Sequence, residues 1–287
     1  RVGSAAPTTT VFSAPSHTPR MPPTVAACQL AVDDLDPAAN LATVESRLDG
    51  LPDAVDVAVF PEYALTGFVP DRRIEDTALR IDGDRLGRLR DLAAARQTAL
   101  LVGFVETDGD DRYNTTAYLA PDGTTTTYRK RHLWGREAEV LTAGDDLVTV
   151  ETPVGSAGIL TCYDLNFVAD SAELADRDVD ALFVGGAWPA AYSENWRLLL
   201  RARALDGVRW VVGAGRTGRR SVPDGDAAAS TDGDTATDAV AYAGRSAVVR
   251  PDGGIHAALD RREDDLVADL DPDTLAAHRE FVGSVPE

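Results

Sequence analysis

Short apolar, β-branched runs recur along this chain, and helix-spaced segments separate them. Thr24–Val32, Asp56–Phe60, Ala99–Glu106, Ala157–Thr161, Ala181–Val184 and Val208–Val212 read as strands. Pro37–Leu48, Asp84–Arg96, Asp170–Ala175 and Trp196–Leu205 read as helices. Asn114–Ala120 and Thr124–Lys130 flank Pro121-Asp122-Gly123, a hairpin turn signal. Leu147–Glu151, Ala247–Arg250 and Asp265–Leu270 add further strands. Such alternation is the pattern of an α/β protein with one large mixed sheet system. Arg219–Asp238, rich in Asp, Ala, Thr and Gly without apolar period, reads as a long exposed loop.

Composition narrows the function classes. The 287 residues are 44% hydrophobic, enough for a large core, and no apolar run is long enough for a membrane span. Residues 1–20 read as an upstream extension or a misplaced start, because strand character begins only after Met21. A net charge of −19 argues against nucleic acid or an anionic membrane as partner. Of 28 basic side chains, 27 are Arg and one, Lys130, is Lys. An acidic surface without lysine suits a cytosol of very high salt; a GC-rich genome gives the same drift. Two cysteines, Cys28 and Cys162, make no disulfide framework and point to a reducing cytoplasm. His17, His132, His256 and His278 are scattered without zinc-site spacing. Asn114-Thr115-Thr116 is a formal glycosylation sequon, read here as chance.

Three residues carry possible chemistry. Cys162 follows the Gly158–Thr161 strand and precedes a helical segment. Backbone N–H groups at such a turn would lower a thiol's pKa and present its sulfur to a substrate. On spacing alone a buried cysteine acting as a small hydrophobe is the plainer reading, and it fits Cys28 better still. Glu62 ends a buried strand in Phe60-Pro61-Glu62, where α/β proteins collect catalytic groups; a solvated loop glutamate is the plainer reading. Lys130 stays lysine between Arg129 and Arg131 in a chain that otherwise uses arginine. A compact ammonium fits a tight oxyanion pocket where a guanidinium does not, although a chance survivor is the alternative.

Together these segments resemble the nitrilase superfamily, the carbon–nitrogen hydrolases. Phe60–Glu62 resembles its F-P-E, Tyr128–Leu133 its Y-R-K-x-H-L, and Cys162-Tyr163-Asp164 its C-Y-D, in the same chain order. Ala26–Gln29, Ala187-Trp188-Pro189, Ala202-Arg203-Ala204 and Gly244-Arg245-Ser246 match further segments across 24–270. Two departures stand out: Asn166-Phe167-Val168-Ala169 replaces the usual R-F-P-E, and Asp206 replaces a glutamate.

The resemblance implies a four-layer α-β-β-α sandwich over 21–287, paired into homodimers or larger homo-oligomers, with no cofactor and no metal. It implies a Glu62–Lys130–Cys162 triad, Glu137 in support and the Tyr163 backbone N–H in the oxyanion site. Trp134, Arg136, Asn166 and Trp188 match pocket positions. Tyr163 after the cysteine, where nitrile-cleaving members usually carry Trp, points to a linear amide or N-carbamoyl amine as substrate. A nitrilase proper and a non-catalytic ligand-binding protein of the same fold remain the rivals. A papain-like peptidase needs a histidine partner in a motif that His256 and His278 lack.

Overall fold

The computed structural model describes residues 21–221 and 239–283. Residues 1–20 and most of the expected loop at 219–238 lie outside the described residues. β1 (Thr24–Gln29), α1 (Pro37–Gly50), β2 (Val55–Val59), α2 (Asp84–Arg96) and β3 (Ala99–Asp108) make two parallel crossovers. β4 (Asp111–Leu119) and β5 (Thr125–Arg129) follow β3 antiparallel. β6 (Thr149–Thr152) pairs antiparallel with β7 (Gly155–Thr161). α3 (Val168–Asp176), β8 (Ala181–Gly186), α4 (Ser193–Gly207) and β9 (Trp210–Gly215) repeat the parallel crossovers. β10 (Arg219–Ser221) and β11 (Ala239–Ala241) form a two-stranded ribbon. β12 (Ala247–Val249) and β13 (Ile255–Ala258) extend the second sheet, β14 (Asp264–Asp269) returns beside β1, and α5 (Pro272–Gly283) follows.

The sheets run β14-β1-β2-β3-β4-β5 and β13-β12-β9-β8-β7-β6. Each has three central parallel strands, one antiparallel strand on one side and two on the other. The chain thus builds one topology twice and packs the halves face to face. Strand period two decides which residues meet. Val25 and Ala27 pack into the core shared with β7, β8 and β9, while Ala26 and Cys28 face α1 and α2. Val44 and Leu48 of α1, with Leu86, Leu89 and Ala93 of α2, cover that outer face at helical spacing. Trp196, Leu200 and Ala204 of α4 cover the second sheet. Each buried Leu or Val contributes about 1.5–3 kcal/mol. The order of layers is α-β-β-α, as the resemblance implies.

Several boundaries differ from the sequence reading. The large mixed sheet system is two sheets. β1 ends at Gln29, and the strand read at Val208–Val212 begins at Trp210 because Val208 (φ 43) turns the chain left-handed at the end of α4. Arg219–Ser221, read as loop, is strand. β13 escapes the sequence reading because its side chains are mostly exposed, and α5 because its described residues bury only Leu275.

Candidate active site

The carboxyl ends of β2, β7 and β8 meet where the two sheets face each other, the usual place for ligands in α/β folds. After β2 the chain turns sharply through Pro61 and Glu62, and Tyr63 adopts φ 59. This turn is wedged between the sheets. A Cβ on Gly103 of β3 would lie 2.6 Å from the Pro61 carbonyl oxygen, and one on Gly185 of β8 would lie 3.0 Å from the Glu62 backbone nitrogen. Only glycine leaves that room.

Glu62 is buried, and every contact of its carboxylate is a donor. Oε1 accepts from Lys130 Nζ at 2.8 Å and from Asn114 Nδ2 at 2.8 Å. Oε2 accepts from the Ala187 backbone N–H at 2.8 Å, just beyond β8. Lys130 directly follows β5 and is buried too. Its ammonium also donates to Glu137 Oε2 at 2.8 Å and Oε1 at 3.0 Å. Glu137 sits on the short helical turn Gly135–Glu139, where it accepts from the Tyr63 hydroxyl and from the Trp134 backbone N–H. Burial alone would pull the Lys130 pKa down, but Glu62 and Glu137 outweigh it and hold the ammonium well above its usual range. One cation thus bridges two carboxylates, and neutral donors satisfy the remaining lone pairs.

Cys162 opens the turn Cys162–Asn166 that follows β7. Its φ of 50 places a non-glycine residue in the left-handed region, which costs about 1–2 kcal/mol. Glu62, Lys130 and Glu137 all lie close enough to the thiol to bear on its charge. Its titration overturns the sequence expectation of a lowered pKa. Burial pushes the thiol up, the Glu62 carboxylate pushes further, and Lys130 opposes them without reversing the result. The backbone N–H groups of the turn are outweighed by desolvation and two carboxylates. The resting sulfur is therefore a thiol, and a base must remove its proton.

The structure brings Glu62, Lys130, Glu137 and Cys162 into one buried cluster. The four candidate pocket residues divide. Trp188, buried just after Ala187, tilts onto Trp196 with ring centroids 5.8 Å apart, and its indole N–H has no partner among the described residues. Trp134 is half exposed beside Glu137. Arg136 is engaged with Glu139 at 3.2 Å, and Asn166 donates to the Tyr163 carbonyl at 3.1 Å. These last two side chains serve local partners. The Tyr163 backbone N–H directly follows the sulfur-bearing residue in the turn.

Three contributors escape the sequence reading: Asn114, the Tyr63 hydroxyl and the Ala187 N–H. Asn114 is the residue dismissed as a chance sequon. The hairpin register pairs Thr115 with Arg129, so Asn114 stands beside Lys130, whose N–H donates to its carbonyl at 2.8 Å. Counting outward from the Pro121-Asp122-Gly123 turn would have found it. His132, Asp164 and Asp170 place possible metal-ligating atoms within 4.8 Å of one another. Arg131, Tyr128 and backbone N–H groups already take up those carboxylates, which does not suit a cation.

A family model described as carbon-nitrogen hydrolase matches residues 24–280. An (R)-stereoselective amidase from Pseudomonas sp. is 30% identical over 251 residues, 88% of this chain and 86% of its own. The omega-amidase YafV of Escherichia coli K12 is 32% identical over 256 residues, 88% of this chain and 90% of its own. Among solved structures, XC1258 of Xanthomonas campestris, a CN-hydrolase superfamily protein, superposes with a TM-score of 0.79 at 26% identity. It covers 92% of this chain and 96% of its own.

Proposed function

Because the chain belongs to the carbon–nitrogen hydrolase family, we propose that Cys162, Glu62 and Lys130 together cleave a linear amide or an N-carbamoyl amine through a thioester. One observation carries the assignment. Lys130 holds the buried Glu62 carboxylate at 2.8 Å, and both groups lie close enough to Cys162 to act on its thiol. Glu62 takes the thiol proton, and the sulfur adds to the substrate carbonyl carbon. The Lys130 ammonium and the Tyr163 backbone N–H stabilise the resulting oxyanion. Glu62 returns the proton to the departing nitrogen, which leaves as ammonia or an amine. The acyl group remains as a thioester on Cys162. Water, deprotonated by Glu62, then adds to the thioester; the carboxylic acid departs and the sulfur regains its proton. Glu137 orients Lys130 by holding its ammonium through both carboxylate oxygens. Trp134 and Trp188 stand at the substrate approach, while Arg136 and Asn166 belong to it by sequence position, their side chains bonding Glu139 and the Tyr163 carbonyl.

The amidase names of the relatives at 30% and 32% identity support an amide over a nitrile. Nitrile hydrolysis is the second reading, since the same sulfur adds to a nitrile carbon equally well. The exposed apolar residues Val168, Leu198 and Leu205 on α3 and α4 support association into homo-oligomers. The single lysine is buried, so arginine alone supplies the basic surface. With a net charge of −19, that supports a high-salt cytoplasm as the setting.

The test is ammonia release in high salt from a panel of linear amides, N-carbamoyl compounds and nitriles, with Cys162→Ala alongside. Amides or N-carbamoyl compounds should turn over, and the variant should be inert. Turnover by Cys162→Ala would end the assignment.

A further inference from the structure

Asp164 lies two residues beyond Cys162, is fully buried, and has no part in the reaction sequence above. Its carboxylate reaches in two directions. Oδ2 accepts from the Tyr128 hydroxyl at 2.6 Å and from the Thr161 backbone N–H at 3.0 Å. Oδ1 accepts from the His132 backbone N–H at 3.0 Å. Tyr128 and His132 stand two residues on either side of Lys130, and Thr161 immediately precedes Cys162. One carboxylate therefore ties the segment bearing the ammonium to the turn bearing the sulfur. That turn holds Cys162 in the left-handed region, which persists only under local restraint.

We propose that Asp164 is a positioning residue whose carboxylate fixes the separation of the Cys162 sulfur and the Lys130 ammonium. The inference rests on the roles given to Cys162 and Lys130 above. A carboxylate suits the place because it only accepts, and three donors converge on it. An asparagine brings an NH₂ group that must face one of those donors, so one side of the clasp opens. The site also keeps a charge that burial opposes. Desolvation pushes Asp164 up to about 6, against Lys130 and the three donors. A neutral packed side chain would avoid that cost. A misplacement of about 1 Å between reacting groups costs on the order of 100-fold in rate.

The experiment uses the full chain with Asp164→Asn and Tyr128→Phe. It measures ammonia release from an amide that the wild type hydrolyses, alongside thermal unfolding. Asp164→Asn should lower kcat by about 100-fold with KM within about threefold. Tyr128→Phe, which removes one donor and keeps the ring, should show a smaller fall with the same split. If Asp164→Asn does not fold, Tyr128→Phe alone decides. Wild-type kcat in the folded variants, or a rise in KM that accounts for the whole loss, overturns the proposal. Cys162→Ala serves as the control. Turnover there defeats the nucleophile assignment itself, whereas an inert Cys162→Ala beside a fully active Asp164→Asn defeats only the positioning role.

Discussion

Gly103 and Glu62 approach so closely that a Cβ on Gly103 would lie 2.9 Å from the Glu62 Cα. Gly185 presses from the opposite sheet, where a Cβ would lie 3.0 Å from the Glu62 nitrogen. The carboxylate is thus placed by two backbones that lack side chains. Its hydrogen bonds to Lys130, Asn114 and Ala187 depend on that placement.

Gly103→Ala should therefore shift the turn. Overpacking of this kind costs about 1–3 kcal/mol. Denaturant unfolding should show that loss, and ammonia release should fall at least about tenfold as Glu62 leaves its partners. Gly185→Ala meets atoms at 3.0–3.2 Å and should be milder in both measurements. Equal tolerance at the two glycines would contradict the wedge.

Lys130→Arg tests why lysine survives here. The ammonium touches carboxylates on two sides within a sealed site. A guanidinium keeps the charge but is longer and planar, so it must displace Glu62 or Glu137. Folding should persist while kcat drops by about 100-fold or more, the size of effect seen when one oxyanion donor is lost. Lys130→Met should be worse for stability, by about 3–5 kcal/mol, because Glu62 and Glu137 lose their shared counter-charge. Unfolding curves of the two variants separate the effects.

Asn114 gives a third test. Its amide donates to Glu62 at 2.8 Å and to Glu137 at 3.3 Å, so it steadies both carboxylates. Asn114→Ala should cost about 1–3 kcal/mol and lower kcat. Asn114→Asp adds a third acid against the first two and should be worse at neutral pH. Its deficit should shrink as the pH falls and the added acid is protonated. Stability of both variants measured at pH 5 and pH 7.5 checks the order.

Much of this site was legible because each of its key residues closes a strand-like run. Glu62 ends the Asp56–Phe60 run, Lys130 ends the hairpin and Cys162 ends the Gly158–Thr161 run, so a local reading sees all three. Asn114 hides in the middle of β4 and becomes informative only through its register with β5. The Ala187 contact is backbone and leaves no trace in residue type. The doubled topology is invisible for a similar reason. β1–β3 and β7–β9 share a burial pattern and crossovers, not residues. The thiol's raised pKa was misread because it depends on how many carboxylates converge on Cys162, which no single turn reveals.

Alkaline pH should unfold this protein early, and the sign follows from four buried acids. Cys28, Cys162, Tyr63 and Tyr128 all hold their protons well beyond their ordinary values, with burial the first cause in each. In the unfolded chain the thiols ionise near 9.0 and the phenols near 10.0. Above those values the unfolded state binds fewer protons than the folded one, so stability falls as pH rises. The contribution is intact below about pH 8 and is lost through 9 and beyond. Each group adds a slope of about 1.4 kcal/mol per pH unit once its unfolded form is ionised. Arginine stays charged throughout, so the surface ion pairs do not cause the decline. Urea unfolding at pH 8, 9.5 and 10.5 in fixed salt should show it. Cys28→Ala should reduce the slope by one group's share, whatever it does to stability at pH 8. A stability that stays flat from pH 8 to 10.5 would show that these four protons are not held as the structure requires.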